Sequence, residues 1–363
     1  MAQEHFIRFL EQTSTQVNET IFNSDVIDYL QPEHIKQGVL AYLERPSKRL
    51  RPAVLQMACG CVGGDVSKSL HAAAGVELFH TWTLVHDDVI DNDDLRRGDH
   101  TVHKLMEEKA RADLHIGESL AKNYGRDIAI LSGDVQHGWC TALFIDCVLR
   151  GSVEPRVVLA ILRYLHTHVL NLLVYGEVLD VQFGLKKRDI SGITESEVIN
   201  MLWLKTGVLY EFASMAGAMI GKNSPDMEDA DIQALKNFTG NCGIAFQLQD
   251  DILGITGDEK RLGKPVGSDI REGKKTTVLL HALQNATSSE FSKITSVIGR
   301  KDASQQDIED VKNLLIKLNG IEYTKSLAQD YLNKAAPYLD RFSESEYKEL
   351  LKEWADYMIN REF

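Results

Sequence analysis

The chain has 363 residues, of which 44% are hydrophobic and only 7 are proline, so it can bury a substantial core. Its formal net charge of -13 at pH 7 argues against a nucleic-acid partner, because most of the surface would repel a polyanion. The five cysteines form no CxxC pair and are odd in number, which favours buried thiols in a reducing compartment. We therefore expect a soluble protein of the cytoplasm.

The N-terminal segment MAQEHFIRFLEQ carries charge on every turn and lacks the apolar stretch of a secretory signal. The most apolar tract, residues 157–178, is interrupted by several polar side chains, among them Arg163, His166 and Glu177. A membrane-spanning helix needs a longer run without such interruptions. The sequence thus predicts an internal helix here and no integral membrane segment.

Helix-period patterning recurs along the chain, and the alternation typical of strands is absent. The breaks between helices are short and polar, and none resembles an interdomain linker. The sequence therefore predicts one all-α domain over residues 1–363, with long inner helices surrounded by shorter ones. The predicted helices are Val26–Leu43, Leu55–Ala58, Leu70–Ile90, Ile128–Leu149, Val157–Phe183, Glu195–Ile220, Ile232–Ile255, Thr276–Leu283, Asp307–Ile316 and Ile321–Leu339.

The first group of charges is SKRLRP, residues 47–52, which precedes a helix opened by Pro52. Lys48, Arg49 and Arg51 are crowded together in this segment. Guanidinium donors beside the free N–H groups of a helix start are typical of an anion-binding site. This segment is therefore a candidate for binding phosphate.

The segment LVHDDVIDNDDLRRG, residues 84–98, holds five aspartates at the end of an apolar helix. At ~100° per residue, Asp91 lies ~40° and Asp88 ~100° around the helix from Asp87, and His80 lies ~20° from it. An acidic helix end is often only a solvated surface, but this one ends a largely apolar segment. Carboxylates without cysteine suit Mg²⁺, which also takes substrate phosphates. The pattern indicates a phosphorylated substrate.

Two further motifs follow in the second half of the chain. Lys205 and Thr206 come after an apolar stretch, and FQLQDDILG places Gln247 ~60° around the helix from Asp250. Gly254 occupies the position that corresponds to Asp91 in the first aspartate group. The glycine-rich segment GKPVGSDIREGKK, residues 263–275, suits an anion clamp through its four cations, Lys264, Arg271, Lys274 and Lys275.

Five segments, taken together and in this order, resemble the motifs of the trans-polyprenyl diphosphate synthase family. They are SKRLRP, HTWTLVHDDVIDNDDLRRG, the Lys205-Thr206-Gly207 triplet, FQLQDDILG and GKPVGSDIREGKKT. The resemblance covers roughly residues 48–339. It implies a single-domain isoprenoid-synthase-type helical bundle around a central cavity. It also implies a homodimer that uses Mg²⁺ to condense isopentenyl diphosphate with an allylic diphosphate.

The resemblance assigns roles to individual positions. The diphosphate of isopentenyl diphosphate is expected at Lys48, Arg51, His80 and Arg97. The allylic diphosphate is expected at Arg96, Lys205, Thr206, Gln247, Lys264 and Lys274. The metal ligands are expected at Asp87, Asp88, Asp91, Asp250 and Asp251. The residues expected to matter most for catalysis are Asp87, Asp91, Arg96, Lys205 and Asp250.

Two departures from the family motifs modify this interpretation. Pro46 and Ser47 replace the paired glycines of the family motif, and Gly254 replaces a third aspartate. Because of these departures, a non-catalytic regulatory subunit of a heteromeric synthase is one alternative function. A terpene cyclase is a second alternative, but it would not need Lys48, Arg51 and His80. Trp82, five residues before Asp87, is expected to block chain growth and to give a product of 15 to 20 carbons.

Overall fold

The computed structural model describes residues 2–185, 192–256 and 267–360. These residues are almost entirely helical, and the one sheet among them is the short antiparallel hairpin of β1 (Leu95–Arg96) and β2 (Asp99–His100). The all-α prediction is confirmed. The α-helices are α1 (Ala2–Phe22), α2 (Glu33–Leu40), α3 (Leu50–Cys61), α4 (Leu70–Asp91), α5 (Val102–Asp113), α6 (Glu118–Leu149), α7 (Pro155–Tyr164), α8 (Leu170–Leu185), α9 (Glu195–Leu202), α10 (Val208–Lys222), α11 (Ala230–Thr256), α12 (Ser268–Glu272), α13 (Thr277–Gln284), α14 (Ser288–Val297), α15 (Gln305–Lys317), α16 (Gly320–Ala335) and α17 (Glu346–Asn360).

Two of the long predicted helices contain a π turn. Leu165–Val169 joins α7 to α8, and Trp203–Gly207 joins α9 to α10. Short 3₁₀ turns lie at Asp25–Tyr29, Val66–Ser69 and Ala336–Arg341. A π turn inserts one residue into a helix and is frequent at functional sites. Hydrophobic periodicity over a whole segment does not reveal such an insertion.

Five helices of the structure were not predicted: α1, α5, α12, α14 and α17. Helix α1 shows why. It buries Phe6, Leu10, Val17 and Ile21 on one narrow stripe, while most of its other residues are polar. The average hydropathy of this segment is nearly neutral. The average therefore does not reveal the apolar face, which becomes visible only when each position is placed around the helix.

The described chain packs into two compact units. The first comprises residues 2–165, 212–235 and 342–353, and the second comprises the described parts of 166–211, 236–341 and 354–363. Helices α10, α11 and α17 each contribute residues to both units. The expectation of a single domain stays a prediction.

In the first unit, α4 packs along α6, and α5 also packs on α6. Gly75 permits the close approach of α4, since a Cβ there would lie 3.0 Å from the ring of Phe144. Phe144 in turn meets Phe212 edge-on, with ring centroids 5.9 Å apart. This packing fixes the helix that ends in the first aspartates.

In the second unit, helices α11 to α16 surround a cluster of buried aliphatic side chains. Ile252 and Ile255 of α11 pack there with Ile270, Ile294 and Ile308 of the later helices. Capping boxes begin three helices of this unit, at Thr194, Thr287 and Ser304. The core therefore supports the end of α11 that carries the second aspartate pair.

The stretch Pro155–Leu185 is long and apolar enough to cross a membrane by length and composition, with a mean hydropathy of 1.6 over its most apolar window. It is interrupted by a π turn, and two of its acidic side chains, Glu177 and Asp180, pair with Lys205 of the same unit. We therefore interpret α7 and α8 as helices of the protein's own fold, since charged pairs are rare and costly within a bilayer.

Candidate active site

The first aspartates lie at the C-terminal end of α4, which ends at Asp91. Asn92 caps the helix in the left-handed conformation at φ 55°. Asp87 and Asp91 are one turn apart and therefore share a face, as the sequence predicts. Asp91 is exposed and Asp87 is half-buried, whereas Asp88 lies around the helix and is buried. Two carboxylates are thus presented together and one is turned into the protein.

Asp88 is held by Arg96, which the β1–β2 hairpin returns to the helix end. The guanidinium Nε lies 2.8 Å and 2.7 Å from the two carboxylate oxygens of Asp88, and Nη2 lies 2.6 Å from Oδ1. Nη2 also lies 3.1 Å from Oδ2 of Asp87. Burial lowers the pKa of Arg96, but the two carboxylates outweigh it and hold this pKa above its ordinary value. The contact orients both Asp88 and the hairpin.

Tyr42 completes the surroundings of Asp88. Its hydroxyl donates to Oδ2 of Asp88 and accepts from the backbone N–H of Val102 at 3.2 Å. Burial, followed by the charge of Asp88, raises the pKa of Tyr42, so the phenol remains a donor. In this structure, Asp88 is satisfied by protein groups, and its role as a metal ligand stays a prediction.

Basic side chains gather around His80, which lies two turns before Asp87 on α4. Arg51 Nη1 donates to His80 Nε2 at 3.0 Å, and Arg97 follows Arg96 in the hairpin at φ 56°. Burial, then the charges of Arg51 and Arg97, hold the pKa of His80 well below its usual range. The imidazole is therefore neutral at pH 7 and keeps one N–H to donate. Lys48 lies exposed on the loop before α3.

Arg49 has a different role from its neighbours in the SKRLRP segment. It is buried and forms an ion pair with Glu77 of α4, and its Nη2 donates to Asn18 at 2.9 Å and to the backbone carbonyl of Leu43 at 2.9 Å. These contacts fix the loop before α3. They leave Lys48 on the loop and Arg51 in the first turn of α3 as the residues that a bound anion would meet.

Trp82 lies within an aromatic cluster on α4 and α6. Its ring centroid is 5.0 Å from Phe79, 5.6 Å from His86 and 4.8 Å from His137. The indole Nε1 is buried, and no described residue accepts a hydrogen bond from it. Gly133 permits this packing, because a Cβ there would lie 3.0 Å from Cδ1 of Trp82. A bulky cluster therefore stands one turn below the aspartates.

In the second unit, the π turn presents Lys205 to two acidic residues of α8. The Nζ atom lies 2.6 Å from Oδ2 of Asp180 and 3.0 Å from Oε2 of Glu177. Gly176 permits this approach, since a Cβ there would lie 2.8 Å from the backbone N of Lys205. The lysine is thus oriented by a pair of carboxylates that the sequence analysis did not assign to the site.

Thr206, next in the chain, begins a line of hydrogen bonds. Its hydroxyl donates to Oε1 of Gln247 at 2.9 Å, and Nε2 of Gln247 donates to Oδ1 of Asp251 at 3.4 Å. The amide of Gln247 is therefore fixed in one orientation. The structure thus brings together Thr206, Gln247 and Asp251 from separate motifs.

A third carboxylate joins the second aspartate pair from the glycine-rich segment. A Cβ on Gly254 would lie 2.2 Å from Oδ2 of Asp269, so the aspartate side chain occupies the space beside this glycine. Lys274 Nζ lies 3.4 Å from Asp269 and 3.2 Å from Glu272. The pKa of Asp251 lies well above its usual range, because of burial and because of the nearby charges of Asp269 and Asp250. Lys264 lies outside the described residues.

These acidic groups fit a divalent cation. Oδ2 of Asp251 is buried and accepts no hydrogen bond from the described residues. Burial and the neighbouring carboxylates disfavour the charged form of Asp251, which a bound hard cation would favour. Among the described residues, no three acidic or histidine side chains form a complete metal site by themselves. Mg²⁺ takes one or two protein carboxylates and completes its shell with water and phosphate.

The sequence analysis missed three acidic residues of the site: Glu177, Asp180 and Asp269. Glu177 was noted only as an interruption of an apolar tract, and Asp180 was not noted. Their spacing of three residues on a helix, facing a lysine, is the signal that could have found them. Asp269 lies in the glycine-rich segment 263–275, in which only the cations were predicted to belong to the site.

Comparison with known proteins identifies the family of the chain. Residues 32–315 match the family model described as polyprenyl synthetase. The geranylgeranyl diphosphate synthase of Sulfolobus acidocaldarius is 35% identical over 317 residues, which cover 86% of this chain and 87% of that protein.

Two solved structures are also similar. Geranylgeranyl pyrophosphate synthetase from Pyrococcus horikoshii has a TM-score of 0.82 at 31% identity, covering 99% of this chain and 98% of that chain. Geranylgeranyl pyrophosphate synthase from Corynebacterium glutamicum, complexed with isoprenyl diphosphate and magnesium, has a TM-score of 0.79 at 26% identity. The match covers 99% of this chain and 97% of that chain. The family resemblance is therefore confirmed: the chain belongs to the polyprenyl synthetase family and is a prenyltransferase.

Proposed function

We propose that this enzyme condenses isopentenyl diphosphate with an allylic diphosphate to give a trans-prenyl diphosphate of 20 carbons, with Mg²⁺ as its metal. The observation that carries the proposal is that each unit pairs carboxylates with cationic or hydrogen-bonding groups suited to a diphosphate. In the first unit these groups are Arg51, His80 and Arg97 near the end of α4. The similar proteins named above support the product length by their names.

Each set of groups has a distinct task in the proposed reaction. The neutral His80 and Arg51 would hold the diphosphate of isopentenyl diphosphate, together with Lys48 and Arg97. Lys205, Thr206, Gln247 and Lys274, with Lys264 and Arg96, would hold the allylic diphosphate. Asp87, Asp91, Asp250 and Asp251 would hold the metal, with Asp88 assisting.

In the reaction, the C–O bond of the allylic substrate breaks and pyrophosphate leaves with the electron pair. The double bond of isopentenyl diphosphate forms the new C–C bond, and a proton is then lost to the departing pyrophosphate. Bound Mg²⁺ would neutralise the charge that develops on the leaving group. The protein's cations would stabilise the same charge. Each would contribute several kcal/mol, which is about the contribution of one well-placed donor in an oxyanion hole. No side-chain nucleophile is required.

The test is an incubation of the purified protein with isopentenyl diphosphate, Mg²⁺ and each of the C5, C10 and C15 allylic primers. We expect chain elongation that stops at 20 carbons and that a chelator abolishes. A cyclised product from the primer alone would indicate a terpene cyclase. No turnover with any primer, restored only by another subunit, would indicate a regulatory partner.

Trp82 is proposed to limit the length of the product, because it stands one turn below the aspartates in a bulky aromatic cluster. Trp82→Ala removes this volume, so we expect longer products, by at least one C5 unit, in chromatography of the hydrolysed alcohols. Trp139→Phe is the control, since Trp139 is buried in the same unit and bonds Ser24 instead. An unchanged product distribution in Trp82→Ala would exclude this role.

A homodimer in the cytoplasm is also proposed. Helix α6 exposes Leu120, Leu131, Ile145 and Leu149, at 63%, 50%, 43% and 74% of their surface. On an ideal helix these positions lie within about 20° of one line. An exposed apolar stripe of this kind is typical of a helix that packs against a partner.

We expect Leu131→Glu to convert a dimer into a monomer, because a buried unpaired carboxylate would oppose packing of this face. Size-exclusion chromatography with light scattering measures the change. Leu185→Glu is the control, since it alters a leucine on α8 that is also exposed, at 76% of its surface. A wild-type protein that is already monomeric at micromolar concentration would contradict the proposal.

A further inference from the structure

The π turn Trp203–Gly207 is an unusual way to carry two neighbouring functional side chains. The backbone N–H of Val208 bonds to the carbonyl of Trp203, a step of five residues in place of the four of an α-helix. Such a turn is rare because its geometry is less favourable, and it persists where other contacts stabilise it. The contacts that stabilise this turn therefore control what it presents.

The turn directs consecutive residues to different helices. Lys205 reaches Asp180 of α8 at 2.6 Å, while the hydroxyl of Thr206 reaches Gln247 of α11 at 2.9 Å. Gly207 lies against α11, since a Cβ there would lie 3.3 Å from the carbonyl of Gly240. A change of register at this turn would move both side chains at once.

One side-chain hydrogen bond spans the whole turn. Nε1 of Trp203 donates to Oε1 of Glu211 at 2.6 Å. In an uninterrupted α-helix, residues eight apart are ~80° from each other around the axis. With one residue inserted by the π turn, the same pair is equivalent to seven steps and lies ~20° apart, on one face. The hydrogen bond therefore favours the π turn over the α-helical register.

Two glycines leave space for this pair of side chains. A Cβ on Gly240 would lie 2.3 Å from Oε1 of Glu211, and a Cβ on Gly207 would lie 2.8 Å from Cδ1 of Trp203. Burial raises the pKa of Glu211, and the bond from Trp203 and the charge of Lys236 partly offset this. In such a low-polarity site a hydrogen bond is stronger than at the surface.

We propose that Trp203 and Glu211 are positioning residues that hold the π turn and so place Lys205 and Thr206 against the allylic diphosphate. This inference rests on the proposed function, in which those two side chains contact that substrate. Neither Trp203 nor Glu211 is proposed to touch substrate or metal.

The test is Trp203→Phe, which keeps an aromatic ring but removes the N–H donor. We expect the KM for the allylic diphosphate to rise about tenfold and kcat/KM for it to fall about 10- to 100-fold, since small misplacements have effects of this size. The KM for isopentenyl diphosphate should stay within about twofold, because its expected ligands lie in the first unit. Glu211→Gln keeps an acceptor oxygen and should retain at least about half of the wild-type kcat/KM.

Trp354→Phe is the matched control. Trp354 belongs to the second unit and is fully buried, whereas Trp203 is half-buried, and no described residue accepts a bond from Nε1 of Trp354. The control should leave both KM values unchanged although it removes the same atoms. Wild-type KM values in Trp203→Phe would overturn the inference, as would equal losses in Trp203→Phe and Trp354→Phe.

A crystal structure of Trp203→Phe separates this inference from the proposed function. We expect the bond from Val208 N–H to shift from Trp203 to the carbonyl of the next residue, and Lys205 to move away from Asp180. An intact π turn in the variant would overturn the inference whatever the enzyme's activity. Unchanged kinetics in Lys205→Ala would instead contradict the assignment of Lys205 to the substrate.

Discussion

Replacing Asp87 with asparagine is expected to lower kcat by about 100- to 1000-fold, the scale of losing one preorganised charge-stabilising group. The side chain keeps its size but loses the charge that would hold the metal. Because Asp87 and Asp91 share the end of α4, we expect Asp91→Asn to have a similar effect. The amount of Mg²⁺ needed for half-maximal rate should rise in both variants, which a purely structural loss would not cause.

Asp94→Asn is the control for both variants. Asp94 belongs to the same acidic run, but it is exposed and lies 3.8 Å from Lys104, outside the face that Asp87 and Asp91 share. Its kcat should stay within about twofold of wild type, as for a weak surface ion pair. Equal losses in Asp94→Asn and Asp87→Asn would mean that the acidic run acts only through its overall charge.

Replacing Arg96 with methionine is expected to lower the free energy of unfolding by about 3–5 kcal/mol, because it leaves Asp88 buried without its main partner. Only 1% of the Asp88 side chain is exposed, and the guanidinium contacts both of its oxygens. Urea denaturation followed by circular dichroism measures the change. The loss should be large even in the absence of substrate and metal.

A double-mutant cycle identifies the cause. Asp88→Asn in the Arg96→Met background should recover part of the loss, with a coupling of about 0.5–3 kcal/mol, because it removes the uncompensated charge. Arg126→Met is the control, since Arg126 pairs with Asp127 on the surface, where both side chains are more than half exposed. Its effect should stay below about 1 kcal/mol. Additive effects of the Asp88 and Arg96 substitutions would contradict a structural role for the pair.

The helical architecture could be predicted because hydrophobic period survives in most of the long helices. Helix α4 is the best example: its predicted span, Leu70–Ile90, differs from the observed Leu70–Asp91 by one residue. The shared face of Asp87 and Asp91 follows directly from that helix. The short β1–β2 hairpin was not predicted, because two-residue strands have no period to detect.

The partners of the site residues could not be predicted in the same way. Tyr42 reaches Asp88 from 46 positions away, and Lys205 pairs with Asp180 across 25 positions. Such contacts depend on how helices pack, which spacing along one helix does not determine. The π turn at Trp203–Gly207 is a further case, since it shifts the register within a segment that has the pattern of one continuous helix.

Gly254 also bears on how this chain compares with proteins that carry an aspartate at the equivalent place. Adding that aspartate by Gly254→Asp would not simply restore a fuller motif, because its first side-chain carbon would collide with the carboxylate of Asp269 at 2.2 Å. The side chain of Asp269, which lies in α12, would have to turn away to admit it. A side chain at position 254 and the side chain of Asp269 therefore compete for the same space, and a graft of an aspartate at 254 from another enzyme should carry the residue at position 269 with it.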